Sequence, residues 1–148
     1  MIRQLQENDL DEVISIWLQE NIRAHDFISE TYWKSQFDSV KEQLPQTEIY
    51  VYVDNDGKIV GFIGLVDHYI AGLFVTSEKQ SKGIGKQLLD YCKARKNKLT
   101  LEVYQKNQRA IRFYQKEEFV IKEATIDEDT GEKEFVMVWG NSSGNRSV

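Results

Sequence analysis

The chain has 148 residues, a formal net charge of −5 at pH 7 and a single cysteine. This length suits one domain with a substantial hydrophobic core, and the acidic balance without a basic stripe argues against binding to nucleic acid or to an anionic membrane surface. One cysteine excludes an internal disulfide, and two histidines without ligand-like spacing give no zinc signature, so we expect no metal.

The N-terminus carries no basic segment followed by an apolar one, and no apolar run approaches the roughly eighteen residues that a membrane span needs. We therefore expect a cytoplasmic protein that is neither secreted nor membrane-spanning. The sequence leaves open whether the protein is a monomer or a homodimer.

Hydrophobic periodicity predicts helices and strands in mixed order. Asn8 or Asp9 can cap a first helix, and a second helix spans about 30–44 and ends before Pro45, the only proline. Two further helices are predicted, one after a glycine-containing loop and one over 107–114. The predicted strands cover residues 2–5, 49–53, 59–66, 70–75, 99–104, 120–126 and 135–139.

The most informative segment joins the predicted strand 70–75 to the helix that follows it. This segment reads Gln80-Ser81-Lys82-Gly83-Ile84-Gly85-Lys86. The two glycines let the backbone pass close to an anion, the helix directs its unpaired N–H groups and positive dipole end at it, and Lys82 and Lys86 add charge. The ligand implied is a diphosphate or polyphosphate.

Three phosphate-binding motifs compete for this loop, and their spacing separates them. A Walker loop needs glycine where Gln80 stands and Ser or Thr where Gln87 stands. A dinucleotide fingerprint needs glycine or alanine where Leu88 stands. The loop instead resembles the Gln/Arg-x-x-Gly-x-Gly/Ala pyrophosphate loop of the GNAT N-acetyltransferase family, which binds acetyl-CoA. A plain glycine-containing turn is the alternative.

A second segment resembles the other acetyl-CoA motif of this family. The strand 99–104 is followed by Asn107, Ala110, Phe113 and Tyr114 in the pattern Asn-x-x-Ala-x-x-Phe-Tyr. The family pattern continues to a Gly-Phe pair, but here Glu118 precedes the phenylalanine. Because glycine commonly ends a helix in the left-handed conformation, we expect an altered or mildly strained helix exit at Glu118.

The element order is similar to the GNAT fold over about residues 1–139. The resemblance implies an α/β (α+β) architecture, with about four helices on a mixed sheet of about seven strands. We expect a single domain over 1–140 and a frayed tail over 141–148. In the resembled architecture the fourth and fifth strands run parallel but splay apart, and the pantetheine arm of the cofactor pairs with the backbone groups left between them.

The resemblance implies acetyl-CoA as cosubstrate and names the residues that would hold it. Asn107 would hydrogen-bond pantetheine, although a helix N-cap role is the alternative. The implied cofactor-binding residues are Leu73, Phe74, Val75, Gln80, Ser81, Lys82, Gly83, Ile84, Gly85, Lys86, Asn107, Ala110 and Phe113.

Tyr114 is the first catalytic residue that the resemblance implies. Its hydroxyl would approach the cofactor sulfur and assist the leaving thiolate. Because a phenol of pKa about 10 is a weaker acid than a thiol of pKa about 8.5, we expect hydrogen-bond stabilisation of the thiolate rather than full proton transfer. Ordinary packing of an amphipathic tyrosine is the alternative.

Glu102 is the second catalytic residue that the resemblance implies, and it would act as a base that removes a proton from the acceptor amine. It lies on a predicted splayed strand, twelve positions before Tyr114, a spacing like that of family members with a strand glutamate as a water-linked base. An exposed glutamate paired with lysine is the alternative, and His25, His68 or bulk water could replace it.

A histidine and several aromatic residues between the first two helices mark the predicted acceptor pocket. Small bacterial GNAT proteins carry a similar His-x-Phe-x-x-x-x-Tyr run at their acceptor cleft, which implies a pocket formed by His25, Phe27 and Tyr32, with His68 nearby. Core packing of Phe27 and helix capping by His25 are the alternatives.

The predicted function is transfer of an acetyl group from acetyl-CoA directly to a primary amine in a ternary complex. Similarity to small bacterial protein-acetylating members favours lysine or N-terminal amines over a small-molecule amine. A noncatalytic acyl-CoA sensor of the same fold is the alternative. A hydrolase or nucleotide-binding enzyme ranks third, because the chain lacks a catalytic triad and an intact nucleotide-binding loop.

Cys92 falls on the buried stripe of its helix, which predicts packing rather than a nucleophile.

Overall fold

A computed structural model describes residues 1–140 of the chain, so the predicted tail over 141–148 lies outside the described residues. No helix within that range is long and apolar enough to cross a bilayer. The strands are β1 (Ile2–Gln4), β2 (Glu48–Val53), β3 (Ile59–Val66), β4 (Tyr69–Val75), β5 (Lys98–Tyr104), β6 (Val120–Ile126) and β7 (Lys133–Gly140). The helices are α1 (Leu10–Ala24), α2 (Glu30–Gln43), α3 (Ile84–Lys93) and α4 (Gln108–Lys116).

The strands form one mixed sheet in the order β1-β2-β3-β4-β5-β7-β6. Every neighbouring pair is antiparallel except β4 and β5, which run parallel. The seven strands and four helices of the described range confirm the predicted architecture. Insertion of β7 between β5 and β6 places β5 between β4 and β7.

Each face of the sheet has its own hydrophobic core. On one face α3 buries Leu88, Leu89 and Cys92, none of which is exposed, against side chains of β3, β5 and β7. On the other face α1 buries Val13 and Ile14 against β2 and β3. The buried position of Cys92 confirms its packing role.

The first helix begins at the predicted position, but its cap differs from the expectation. Asp9 occupies the N-cap position without a side-chain capping bond. Its carboxylate instead accepts from the backbone N–H of Gln6 at 2.7 Å and forms an ion pair with Arg3 at 2.7 Å. These bonds tie β1 to the start of α1, and the Arg3 guanidinium lowers the pKa of Asp9.

The C-terminal end of α4 has the mildly strained backbone that the sequence predicted at Glu118. Glu118 adopts a left-handed φ of 74°. Its N–H donates to the carbonyl of Gln115 at 3.1 Å, and the N–H of Phe119 donates to the carbonyl of Tyr114 at 2.9 Å. These two bonds form a Schellman motif, in which Phe119 also packs on the Tyr114 ring. Glutamate therefore occupies a position that favours glycine.

We predict that Glu118→Gly stabilises the protein. Relief of the left-handed strain of about 1 to 2 kcal/mol is partly offset by the extra unfolded-state entropy of glycine, about 0.5 to 1 kcal/mol. The expected gain of about 0.5 to 1 kcal/mol raises the melting temperature by a few degrees. Glu118→Ala is the matched control, since it removes the charge and keeps the Cβ atom. A gain in the alanine variant equal to that in the glycine variant would contradict the strain argument.

Candidate active site

A gap between β4 and β5 is the central feature of the site. The two strands share one register pair, Tyr69 with Thr100, and the N–H of Thr100 donates to the carbonyl of His68 at 2.9 Å. Because backbone groups alternate in direction along a strand, those of Glu102 and Tyr104 face the gap as those of Thr100 do. The predicted splay is thus present, and it opens toward the C-terminal ends of both strands.

The same alternation identifies the groups of β4 that face the gap. The N–H of Thr76 donates to the carbonyl of Val60 at 2.9 Å, and Phe74 is paired with β3 two residues earlier. The backbone of Phe74 is therefore turned toward β3, whereas the backbone groups of Leu73 and Val75 face β5. Of the three predicted residues on β4, two present backbone groups to the gap.

Both carbonyls at the mouth of the gap already have partners within the chain. The carbonyl of Val75 accepts from Nε2 of Gln80 at 2.8 Å. The carbonyl of Tyr104 accepts from the N–H of Asn107 at 3.0 Å. The N–H groups of Leu73 and Val75 face the gap beside them, so the mouth is rich in donors and suits a ligand that brings acceptors.

A cavity of about 960 Å³ leads from this gap across the loop after β4 and along α4. The predicted catalytic residue Tyr114 and the predicted pocket residue His25 line it. Lys82 is exposed outside it, and Ile84 is buried in the core. The predicted cofactor-binding residues that line it are Leu73, Phe74, Val75, Gln80, Ser81, Gly83, Gly85, Lys86, Asn107, Ala110 and Phe113.

The loop after β4 has a backbone shape suited to an anion. Ser81 and Gly83 both adopt left-handed φ values, 64° and 84°, and Gly83 is the N-cap of α3. This arrangement directs the first backbone N–H groups of α3 toward the cavity. Gly85 does not have a left-handed φ, and a Cβ atom there would lie 3.5 Å from the Phe113 ring, in ordinary van der Waals contact.

Glu20 of α1 holds this loop, and the sequence motifs do not identify it. The residue is only 6% exposed. Its carboxylate accepts from the hydroxyl of Ser77 at 3.2 Å and from Nε2 of Gln80 at 3.2 Å. Gln80 thus bridges Glu20 and the Val75 carbonyl. A signal was available, because Glu20 follows Val13 and Ile16 on the buried stripe of α1, where a carboxylate requires partners.

Basic side chains dominate the wall of the cavity. Arg109, Arg112 and Lys116 lie at spacings of three and four residues and therefore share one face of α4. This spacing could have identified the three residues as part of the site, although the sequence motifs pointed only to the lysines of the loop. The basic residues that line the cavity are Arg23, Lys79, Lys86, Arg109, Arg112 and Lys116, against the acids Glu20 and Glu117.

Tyr114 reaches the cavity from a buried position. Its ring packs between Phe113 and Phe119, with ring centroids 5.1 and 5.3 Å away. Burial raises the pKa of its hydroxyl well above the usual value of a phenol. The hydroxyl therefore stays protonated across the working pH range and can donate a hydrogen bond, which agrees with thiolate stabilisation rather than proton transfer.

Glu102 lies on the opposite side of β5 from Tyr114. Leu101 and Val103 point into the core that α3 covers, and Glu102 between them is exposed on the other face. Its carboxylate accepts from the hydroxyl of Tyr69 at 3.0 Å. The two predicted catalytic residues thus flank one strand of the gap, one on the face that α3 covers and one on the face of α1 and α2.

Further acidic residues surround Glu102 on this second face. Glu134 of β7 is paired directly with Tyr104, and burial together with the charges of Glu102 and Asp127 raises the pKa of Glu134 to about 7. Asp127 accepts from the hydroxyl of Tyr104 at 2.6 Å. The sequence motifs do not identify Glu134 or Asp127, which converge here only because β7 lies beside β5.

The predicted pocket residues separate into two groups. The rings of His25 and Phe27 form one cluster with Tyr104, with centroids 5.1 to 5.7 Å apart. Tyr32 lies at the edge, and its hydroxyl donates to Asp129 at 3.4 Å. His68 is exposed in the turn before β4, at the closed end of the gap, so it is not brought to the mouth.

Comparisons with known proteins agree with this geometry. The family model described as an acetyltransferase (GNAT) domain matches residues 45–121. The chain is 35% identical over 141 residues to the peptidyl-lysine N-acetyltransferase YiaC of Escherichia coli K12. The aligned region covers 94% of this chain and 96% of YiaC. The chain belongs to the GNAT acetyltransferase family. It is accordingly an enzyme that transfers acetyl groups to amines.

Two solved structures show how widely this GNAT fold is shared. The solution structure of apo YjaB from E. coli superposes with a TM-score of 0.84 at 25% identity, covering 94% of this chain and 96% of that one. The F149A mutant of spermidine N-acetyltransferase SpeG from Vibrio cholerae superposes with a TM-score of 0.72 at 19% identity, covering 100% and 99%. The second likeness concerns the fold alone.

We predict that Glu20→Ala destabilises the protein by about 1 to 3 kcal/mol, because the half-buried donors of Ser77 and Gln80 lose their charged acceptor. Glu20→Gln keeps one acceptor oxygen in place and is expected to lose less. Urea unfolding at pH 7 measures both variants. Wild-type stability in Glu20→Ala would show that the loop does not depend on this carboxylate.

Proposed function

We propose that the protein binds acetyl-CoA in this cavity and transfers its acetyl group to the ε-amine of lysine in proteins or peptides. The gap between β4 and β5 carries the proposal, because its mouth presents the N–H groups of Leu73 and Val75 beside an anion-binding loop. The relationship to YiaC, whose name specifies peptidyl-lysine, supports the choice of acceptor.

Each part of the cavity suits one part of acetyl-CoA. The gap suits pantetheine, whose amides can pair with Leu73 and Val75. The loop with Gly83 at the start of α3 suits the pyrophosphate. The basic side chains on one face of α4 suit the negative charge of the remaining phosphate of acetyl-CoA. Acetyl-CoA itself supplies the activated acetyl thioester.

The residues at the mouth of the gap can stabilise the charge that develops during transfer. An N–H of Leu73 or Val75 that faces the thioester oxygen stabilises the developing negative charge more than the ground-state carbonyl. The new bond joins the neutral lysine nitrogen to the acetyl carbon, the bond between carbon and sulfur breaks to release the thiolate of coenzyme A, and the nitrogen gives up its second proton to water. The Tyr114 hydroxyl donates a hydrogen bond to the departing sulfur.

The acceptor amine must be neutral before it can attack. For an amine of pKa near 10.4 at pH 7, this costs roughly 4.6 kcal/mol, about 3.4 units at 1.36 kcal/mol each. Glu102 takes up the proton, directly or through water, from the face of β5 that lies opposite Tyr114. The carboxylates of Asp127 and Glu134 beside it attract a cationic lysine to this face.

The proposal is tested with purified protein, acetyl-CoA and lysine-containing peptides. Calorimetry measures cofactor binding, and mass spectrometry locates the acetyl group on the peptide. Binding followed by acetylation of a lysine side chain is the expected result. Binding without transfer to any peptide or amine in a broad screen would instead support the acyl-CoA sensor.

Tyr114→Phe keeps the buried ring and removes the hydroxyl. We expect turnover to fall by about tenfold or more while the acetyl-CoA dissociation constant stays within about twofold, because the lost hydrogen bond acts on the departing sulfur. Steady-state kinetics and calorimetry separate the two quantities. Undiminished turnover with the best peptide would remove Tyr114 from the mechanism.

Glu102→Gln tests the base through its pH dependence. Near pH 7 the variant is expected to lose about tenfold in kcat/KM, and above about pH 9 the deficit shrinks because more of the amine is already neutral. Measurement of kcat/KM from about pH 6 to 10 for both proteins decides the matter. Parallel profiles would leave Glu102 as a binding residue.

A further inference from the structure

His25 ends α1 with both of its ring nitrogens engaged. Nδ1 lies 3.1 Å from the carbonyl oxygen of Asn21, and Nε2 lies 3.2 Å from the side-chain nitrogen of Asn107. A carbonyl only accepts and an amide nitrogen only donates, so Nδ1 carries the proton and Nε2 accepts. The amide orientation of Asn107 is itself defined, because its oxygen accepts from the N–H of Ala110 at 3.2 Å.

This arrangement removes His25 from the candidate bases. The Nε2 lone pair points at the Asn107 amide and is not free for an acceptor proton. Burial also lowers the pKa of His25 and so favours the neutral ring that this pairing requires. His25 can instead act on the site by orienting the Asn107 side chain.

His25 forms the boundary between the two sides of the site. Its ring stacks on Trp33 with ring centroids 5.4 Å apart and meets the Tyr104 ring edge-on at 5.1 Å. These contacts place it in the aromatic cluster of the predicted acceptor pocket, which we call the acceptor side. The same residue lines the cofactor cavity. One side chain thus contacts the acceptor cluster and the cavity wall together.

Asn107 connects this boundary to the gap and to α4. Its backbone N–H donates to the Tyr104 carbonyl at the mouth of the gap, and its side-chain oxygen caps the helix that carries Tyr114. The orientation of Asn107 therefore affects the end of β5 and the start of α4. Its side-chain nitrogen has a second hydrogen beyond the one directed at His25.

We propose that His25 is a positioning residue for acetyl-CoA binding, which acts by accepting a hydrogen bond that orients the Asn107 amide. Through Asn107 it holds the mouth of the gap and the first turn of α4 in the shape that receives pantetheine. The inference rests on the proposed function, because it assigns acetyl-CoA to this cavity. A residue in the wall of the acceptor side thereby controls the affinity for the cofactor.

Two amide substitutions test this role as a matched pair. His25→Asn places an amide near the position of Nδ1 and cannot reach Asn107, whereas His25→Gln can place an acceptor oxygen near the position of Nε2. Both variants lose the imidazole stack on Trp33 equally. We expect the acetyl-CoA dissociation constant to rise about tenfold in His25→Asn, the equivalent of about 1.4 kcal/mol, and to stay within about threefold of wild type in His25→Gln.

A double-mutant cycle with Asn107→Ala tests whether His25 acts through Asn107. If it does, His25→Asn adds little to the loss already caused by Asn107→Ala, while independent roles give additive losses. Calorimetry on the full chain, with thermal melts to verify folding, measures all of these variants. Additive losses, or equal effects of the Asn and Gln substitutions at position 25, would overturn the inference.

The outcomes for wild type and variants distinguish the two proposals. Wild-type protein that binds no acetyl-CoA overturns the proposed function and this inference with it. Wild-type binding together with unchanged affinity in His25→Asn overturns the inference alone. In kinetics, a positioning role predicts a raised KM for acetyl-CoA with kcat little changed at saturating cofactor.

Discussion

The incomplete pairing of β4 with β5 is the constraint on which the site depends. Parallel strands normally exchange hydrogen bonds along their whole length, but here the register contains one pair, Tyr69 with Thr100. Each backbone polar group left unpaired away from water costs about 1 to 3 kcal/mol. The fold tolerates the gap because β4 pairs with β3 and β5 pairs with β7 along most of their lengths, and two hydrophobic cores hold β4 and β5 in place.

The chain satisfies the gap selectively. The outermost carbonyls are occupied by Gln80 on one side and by Asn107 on the other, while N–H groups of β4 face the opening. The gap therefore presents donors at its mouth, and a ligand with carbonyl and phosphate oxygens complements it. Glu20 in the C-terminal half of α1 and His25 at the end of that helix accept from the side chains of Gln80 and Asn107, the two residues that donate to these carbonyls. One helix thus supports both sides of the mouth.

Electrostatics divides the two faces of β5. The cavity is lined by six basic and two acidic side chains, which suits a polyanionic cofactor although the whole chain is acidic. The opposite face gathers Glu102, Asp127 and Glu134, and burial together with repulsion from the other two carboxylates raises the pKa of Glu134 to about 7. A cationic amine would relieve that repulsion. Direct transfer across the gap is consistent with a cofactor and an acceptor that are attracted to opposite faces.

The sequence by itself determined the elements and the two cofactor motifs, because apolar periodicity, turn residues and the glycine and asparagine positions act over a few residues. Even the strained exit at Glu118 could be predicted from one departure in a local pattern. The tertiary structure alone decided which distant residues complete the site. Glu20 meets Gln80 across 60 positions and His25 meets Asn107 across 82. Such contacts depend on how α1 packs across the sheet, and no local periodicity encodes the partner of a buried polar side chain.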